Sequence, residues 1–567
     1  MFGAFYASKA DEYCLPASPT PKLATTFGQW NSKAAFICWG WAMTSIYIIN
    51  PAGDFPTYFG GEVLGASAYP GGVMMADLAS ATVAAFAPSD YRIRLCDETM
   101  EPVDFNDDSD FILVTGKVSQ RLRMTAIADE FRRRGKTVVI GGPYASLSPA
   151  RLRDHCDTLV CGEIEEIAEG FFADLTGRRL KDAYFGDKPS LAHSPFPRWD
   201  LYNNDRAMLG AVQTSRGCPF ECEFCDVIQY LGRKQRHKPI GNVIAEIDAL
   251  WRFGYRTTFL ADDNFTAYRA HCKELLAAIA EWRQGKPMEF VTQISIDATR
   301  DDELLDMCVA AGLTQVFVGI ETPNIESLRE TGKRQNLKIS LVDEIQKLVD
   351  RGMSVMGGMI VGFDHDGPGV FAQQYDFAMA TPIPIYSLGA LMASEATPLF
   401  DRIQREGRLL TGGVETQAVP WSSNIQCTTM SMEELHNGMQ NLCNALYAPA
   451  AFQERMLHLI DTFGRHRNGP APRPMDPGAL REVEKQAVQA AMTRITRYGT
   501  AEGRMWNKVW GAAVRKPETM TIVARILFQY AQARYMFDRG SYWEPKLSFP
   551  PVAPPAAAAR TEAVVTA

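Results

Sequence analysis

The pattern predicts an α/β chain in three parts: an N-terminal doubly wound (Rossmann-like) sheet, a partial (β/α)6 barrel and a mainly helical C-terminal region. Three observations carry this. Between residues 45 and 190 short apolar runs alternate with helix-period stretches, as an open parallel sheet covered on both faces requires. After residue 225 a second alternation begins, which suits a half barrel with its chemistry at the carboxyl ends of the strands. From about Glu433 helical periodicity takes over. The expected boundaries are 1–44 for an extension, 45–190 for the first sheet, 191–425 for the barrel, 426–548 for the helical region and 549–567 for a disordered Pro/Ala-rich tail.

The expected strands of the first sheet are residues 46–49, 92–96, 111–115, 137–140 and 158–160, with a helix over 121–134. Ligands on such sheets sit at the carboxyl ends of the strands. Those ends read Asn50-Pro51-Ala52-Gly53, Thr115-Gly116-Lys117, Gly141-Gly142-Pro143 and Gly162-Glu163. Glycine lets a ligand approach the backbone, but tight strand–helix turns need the same residues, and spacing leaves both readings open.

The barrel strands are expected at 257–260, 289–295, 315–319, 354–361 and 387–391, with helices over 241–252 and 337–351. Gln293 and Ser295 fall on one side of a strand and are candidates for its cavity. C-terminal helices are expected at 433–446, 451–463, 477–492 and 520–537. Arg494, Arg497 and Arg504 there either meet an anionic group or face water.

The chain has 567 residues, enough for two or three domains. A hydrophobic share of 46% and a charged share of 22% describe an ordinary globular protein. A net charge of -8 argues against a large nucleic-acid footprint. The N-terminus carries no signal peptide pattern. Twelve unevenly spaced cysteines then fit reduced thiols in the cytoplasm better than a disulfide framework. The uncharged stretch 34–49 is short for a membrane span and reads better, in its second half, as a buried strand. A peripheral membrane contact stays open.

The chemistry concentrates in the run Arg216-Gly217-Cys218-Pro219-Phe220-Glu221-Cys222-Glu223-Phe224-Cys225. Three thiolates spaced C-x3-C-x2-C on one loop can converge on one iron–sulfur cluster. Three ligands leave one iron of a [4Fe-4S] cluster open for a substrate or cosubstrate. The competing reading is structural zinc, but no fourth Cys or His follows nearby at zinc-like spacing except His237.

This triad resembles the signature of radical S-adenosylmethionine (SAM) enzymes, in which the open iron holds SAM. Ile140-Gly141-Gly142-Pro143-Tyr144-Ala145-Ser146 and Val160-Cys161-Gly162-Glu163-Ile164-Glu165-Glu166 resemble the last strand ends of the cobalamin-binding domain of class B members of that family. The run Pro195-Phe196-Pro197-Arg198-Trp199-Asp200-Leu201 resembles the linker into their radical domain. Gly232-Arg233-Lys234-x-Arg236-x-Lys238 and Gly389-Ala390-Leu391 followed by Thr397-Pro398-Leu399-Phe400 are similar to the hopanoid and bacteriochlorophyll methylase branch.

The resemblance covers roughly residues 45–420. It implies cobalamin contacts at Thr115, Gly116, Gln120, Gly141, Gly142, Pro143, Gly162 and Glu163. It implies SAM contacts at Asp262, Asp263, Asn264, Gln293, Ser295, Gly319, Glu321, Gly358 and Val361. A helix cap would also explain the Asp262-Asp263-Asn264 run. The D-x-H-x-x-G motif that supplies a cobalt-ligating His in methionine-synthase-like domains is absent. No lower axial ligand is therefore named, and the loop 115–120 is the place to look.

The activity implied is methylation of an unactivated carbon through a 5′-deoxyadenosyl radical and methylcobalamin. The substrate would be a lipid, tetrapyrrole or natural product, and the electron donor a flavodoxin or ferredoxin. A helical appendage in such enzymes covers the barrel mouth; a helical cap with its own core is the alternative. Three other readings compete: a cyclase or oxidoreductase without methyl transfer, a tRNA methylthiotransferase, and a non-catalytic cobalamin sensor. The second needs a further cysteine trio, for which Cys14, Cys38, Cys96, Cys156 and Cys161 are poorly placed.

Overall fold

The structure is a computed structural model and describes residues 43–337, 339–410, 419–469, 478 and 480–544. Most of the expected extension and all of the expected tail lie outside the described residues. The strands of the first half are β1 (Ser45–Asn50), β2 (Val73–Met75), β3 (Arg92–Asp97), β4 (Phe111–Thr115), β5 (Thr137–Gly141), β6 (Thr158–Cys161) and β7 (Ala183–Phe185). Those that follow are β8 (Ala207–Val212), β9 (Ser215–Arg216), β10 (Arg236–His237), β11 (Thr257–Leu260), β12 (Glu289–Ile294), β13 (Leu313–Glu321), β14 (Ser354–Val361) and β15 (Tyr386–Ala390).

One sheet has the order β3-β1-β4-β5-β6-β7, and its pairs are parallel. The strand order reverses between β1 and β4, so the crevice beyond Asn50 and Thr115 is the switch point where such folds bind ligands. The near-continuous apolar runs follow from burial on both faces. Ile46 and Ile48 enter the core shared with the barrel, whereas Tyr47 and Ile49 enter a separate one. Helix Arg121–Arg133 closes that second core with Met124, Ile127, Ala128 and Phe131, a stripe at helical spacing.

The other sheet has the order β15-β14-β13-β12-β11-β8-β2, again parallel. It is the expected half barrel plus two strands that the pattern did not name, β8 and β2. β2 comes from the stretch expected to belong wholly to the first sheet, yet Val73 pairs with Ala207 and Met75 with Leu209. Side chains at Gly61 and Gly72 would overlap neighbouring backbone, so two glycines allow this edge to close up. A three-residue strand carries no period to read, which is why the pattern missed it.

The C-terminal helices are Met432–Tyr447, Pro449–Thr462, Glu482–Tyr498, Thr500–Arg515 and Met520–Arg539. The last is buried almost all round. Its Arg525 reaches Thr257, Glu289 and Gln315, near the starts of β11, β12 and β13. Gln529 lies against Met356 of β14, and Gln532 donates to the Thr57 carbonyl. This helix therefore plugs the base of the half barrel rather than covering its mouth. Arg494 donates to the Ala66 carbonyl at 2.6 Å, a packing contact, while Arg497 and Arg504 are exposed.

Candidate active site

The cysteine loop spans the gap between β9 and β10, a short antiparallel pair that pins its two ends. Gly217 opens the loop with φ +96°, and its N–H donates to Asp263 at 2.9 Å. A side chain there would press on the carbonyls of Gly232 and Lys234. Cys218 N–H donates to Gly232 O, and Cys225 N–H to Cys222 O. Cys222 is buried and its two partners are half-buried. Burial pushes the Cys218 thiol up and the Cys225 thiol to about 12.

Among the described residues no three metal-ligating side chains converge as one ion requires. A cluster that offers each thiolate its own iron does not ask for that convergence. The three thiols on one loop, without a fourth cysteine in it, fit a [4Fe-4S] cluster with an open iron.

The expected SAM residues divide. Asp262 does not face the mouth. It is 1% exposed and accepts from Thr214 N–H at 2.7 Å, Ser215 N–H at 3.0 Å and both hydroxyls of that pair. Its carboxylate braces the chain entering the cysteine loop. Asp263 holds Gly217 and is half-buried, with its carboxyl pushed up to about 6 by burial. Asn264 donates to Ser295 Oγ at 2.7 Å, and Gln293 is exposed at the end of β12.

Gly319 and Gly358 sit side by side on β13 and β14. A side chain at Gly358 would strike the Phe317 ring. The Val361 side chain is fully buried in the barrel core, which leaves its backbone for the contact the motif implies, and its half-buried neighbour Ile360 packs on a separate apolar cluster. Glu321 has φ +62° and accepts from Lys333 Nζ at 2.6 Å.

A cavity of about 570 Å³ lies between the strand ends of the first sheet and the barrel. Thr115, Gln120, Gly141, Gly142, Pro143, Gly162 and Glu163 line it, and Gly116 does not. Its opposite wall is Ala211, Gln213, Phe259 and Ala261 of the barrel with Arg216, Tyr230 and Leu231 from the cysteine loop region. Gly142 and Gly162 have φ of +94° and +80°, and packing against Thr115 and Gly186 leaves no room for side chains there. These glycines serve the turns that border the cavity.

Two of the expected cobalamin contacts that line the cavity also hold the protein together. Gln120 donates to Asn50 Oδ1 at 2.9 Å and to Pro51 O, and accepts from Lys117 N–H. Glu163 accepts from Arg216 at 2.6 Å and Arg236 at 2.8 Å. No His lines the cavity among the described residues.

Residues 212–373 match the radical SAM superfamily, and residues 397–537 match DUF4070, a domain of unknown function. An uncharacterized methyltransferase of Synechocystis sp. is 33% identical over 463 residues, 78% of this chain and 83% of that protein. The chain belongs to the radical SAM methyltransferases. A hopanoid C-2 methylase of Rhodopseudomonas palustris is 31% identical over 340 residues, 58% of this chain and 64% of that one.

Among solved structures, the cobalamin-dependent SAM radical enzyme OxsB aligns with a TM-score of 0.55 at 12% identity, covering 88% of this chain and 80% of OxsB. TsrM, a radical SAM methyltransferase of Kitasatospora setae, aligns at 0.53 with 16% identity, covering 83% and 99%. These likenesses are of fold.

For a radical SAM methyltransferase, the residues that sequence reasoning missed are those that fix the cysteine loop. Arg402 joins Glu223 at 2.8 Å to Asp364 at 2.5 Å, and Leu399 N–H donates to Glu223 O. The run 397–400 thus clamps the loop through the helix Pro398–Arg405, capped by Thr397. In the basic pattern after the cysteines, Arg236 holds Glu163 and Lys238 pairs with buried Glu246 at 2.7 Å. Lys333 had no motif around it to mark it; only its position after β13 would have served.

Proposed function

We propose that this chain is a cobalamin-dependent radical SAM methyltransferase acting on an unactivated carbon of a hydrophobic or natural-product substrate. The observation that carries this reading is the shared wall: the cavity at the switch point of the first sheet is closed by residues of the cysteine loop region. Cys218, Cys222 and Cys225 would hold the [4Fe-4S] cluster. Asp263, Asn264, Gln293, Ser295, Gly319, Glu321 and Gly358 remain the candidates around SAM. Thr115, Gln120, Gly141, Gly142, Pro143, Gly162 and Glu163 would lie against cobalamin.

Bound, these groups supply one-electron cleavage of SAM and a carrier for the methyl group. The chain's own contribution is placement. Asp262 and Asp263 fix the entry to the cysteine loop, Arg402 fixes its middle through Glu223, and the buried helix closes the barrel base. On the barrel side Ala211, Phe259 and Ala261 give the cavity an apolar face that would limit water at the reacting centre.

A low-potential flavodoxin or ferredoxin would deliver the electron. We place the protein in the cytoplasm, with a possible membrane-surface contact toward a lipid substrate and no nucleic-acid partner. Among the described residues no helix is long and apolar enough to cross a membrane.

The test is anaerobic reconstitution with iron, sulfide and cobalamin, then incubation with SAM, reductant and lipid or pigment extracts from cells lacking the gene. A methylated product formed with both S-adenosylhomocysteine and 5′-deoxyadenosine supports the reading. 5′-Deoxyadenosine with an altered but unmethylated product would shift it to the cyclase or oxidoreductase class.

A further inference from the structure

Lys333 is a buried cation beside the cysteine triad. Its side chain is 13% exposed and that of its partner Glu321 is 9% exposed. The segment that carries it, residues 331–336, is tied to the cysteine loop. Glu223 N–H donates to Thr331 O at 3.1 Å, and Gln335 Nε2 lies 3.9 Å from Cys222 Sγ. Burial alone would lower the Lys333 pKa; the neighbouring Glu321 carboxylate outweighs it and keeps the ammonium charged.

The surroundings are built for this pair. A side chain at Gly319 would collide with both Glu321 and Lys333, so the strand leaves room there. Glu321 adopts a left-handed backbone at φ +62°, a conformation that strains a non-glycine residue. Asn336 donates to the carbonyls of Gly319 and Ile320 at 3.1 and 3.0 Å, which fixes the segment against the strained turn. An ordinary surface ion pair needs none of these features and contributes little.

We propose that Lys333 is an electrostatic positioning residue for the cluster: held by Glu321, its ammonium favours the reduced centre and raises the reduction potential. The step is a one-electron transfer. A reduced flavodoxin- or ferredoxin-type donor is oxidised, the cluster is reduced, and no bond forms or breaks. The added electron increases the negative charge of a centre already bound by thiolates, and a fixed cation nearby stabilises that increase. Glu321 acts in the opposite sense and sets the net size of the effect. The inference rests on the cluster reading above but not on cobalamin or methyl transfer.

The test is an EPR-monitored redox titration of the reconstituted cluster without SAM, with iron counted per chain. Lys333→Met is expected to shift the potential to more negative values, Lys333→Arg to leave it near wild type, and Glu321→Gln to shift it to more positive values. Opposite shifts from the two partners are not what loss of a structural contact would give. Equal signs, or no shift in fully loaded variants, would overturn the proposal. If Lys333→Met fails to hold iron, Glu321→Gln decides alone: a positive shift supports the proposal, and an unchanged or negative one overturns it. A wild-type protein that builds no cluster would overturn the cofactor reading, and this inference with it.

Discussion

Arg216, the residue that leads into the cysteine loop, donates to Glu163 at the end of β6 at 2.6 Å, with both side chains nearly buried. Arg236, on the strand that leaves the loop, donates to the same carboxylate. One carboxylate of the first sheet thus holds both ends of the loop that carries the thiols. Glu163→Gln is expected to keep SAM cleavage but lower methylated product per 5′-deoxyadenosine on the order of 10- to 100-fold, because misplacement of about an ångström has effects of that size. Product ratios by mass spectrometry check this; a parallel fall in both products would count against it.

Asp262 behaves as a brace. Asp262→Ala leaves four donors on Thr214 and Ser215 without their acceptor, and each buried unmatched group costs about 1–3 kcal/mol. The expected outcome is a lower unfolding midpoint and less iron per chain after reconstitution. A stable, fully loaded variant with weakened SAM binding alone would return Asp262 to the ligand role read from sequence.

Asp97 gives a pH dependence away from the cysteines. It is 6% exposed, and burial first, then the nearby Asp77, pushes its pKa up to about 6. The folded value lies above the unfolded one, so its contribution to stability is fully present below about pH 4 and is lost as pH rises through about 6. The denaturation midpoint of the wild type should therefore carry a component that falls between pH 4 and 6. Asp97→Asn should flatten that component, whatever its effect on absolute stability; an unchanged slope would contradict the assignment.

Gln529 on the buried helix is 1% exposed, lies against the sulfur of Met356, and has no partner for Oε1. Gln529→Met removes a buried unmatched acceptor and keeps the volume. Stability is expected to hold or rise by about 1 kcal/mol. A loss of more than about 2 kcal/mol in chemical denaturation, the scale of a broken buried contact, would show that the amide has a partner the protein depends on.

The two parallel sheets were legible because a strand buried on both faces leaves an unbroken apolar run, as in residues 111–115 and 354–361. β2 was not, since Val73–Met75 is too short to show a period and its partner β8 lies far along the chain. The cysteine loop was legible from spacing alone. Local spacing does not say where a carboxylate points: Asp262 braces Thr214 and Ser215, and Glu163, which lines the cavity, also holds Arg216 and Arg236. Val361 was placed by motif, and the alternation of β14 turns its side chain into the core. Lys333 carried no motif to mark it, whereas the helix Thr500–Arg515 had end signals in Gly499 and Pro517 that went unread.

The most direct measurement is iron, sulfide and cobalamin per chain, with SAM cleavage, for wild type and for the variant in which Cys218, Cys222 and Cys225 are all alanine. The account predicts a cluster and bound cobalamin with reductive cleavage in the wild type, and cobalamin alone in the variant. Iron retained by the variant, or a wild type that binds neither group under anaerobic conditions, would contradict it.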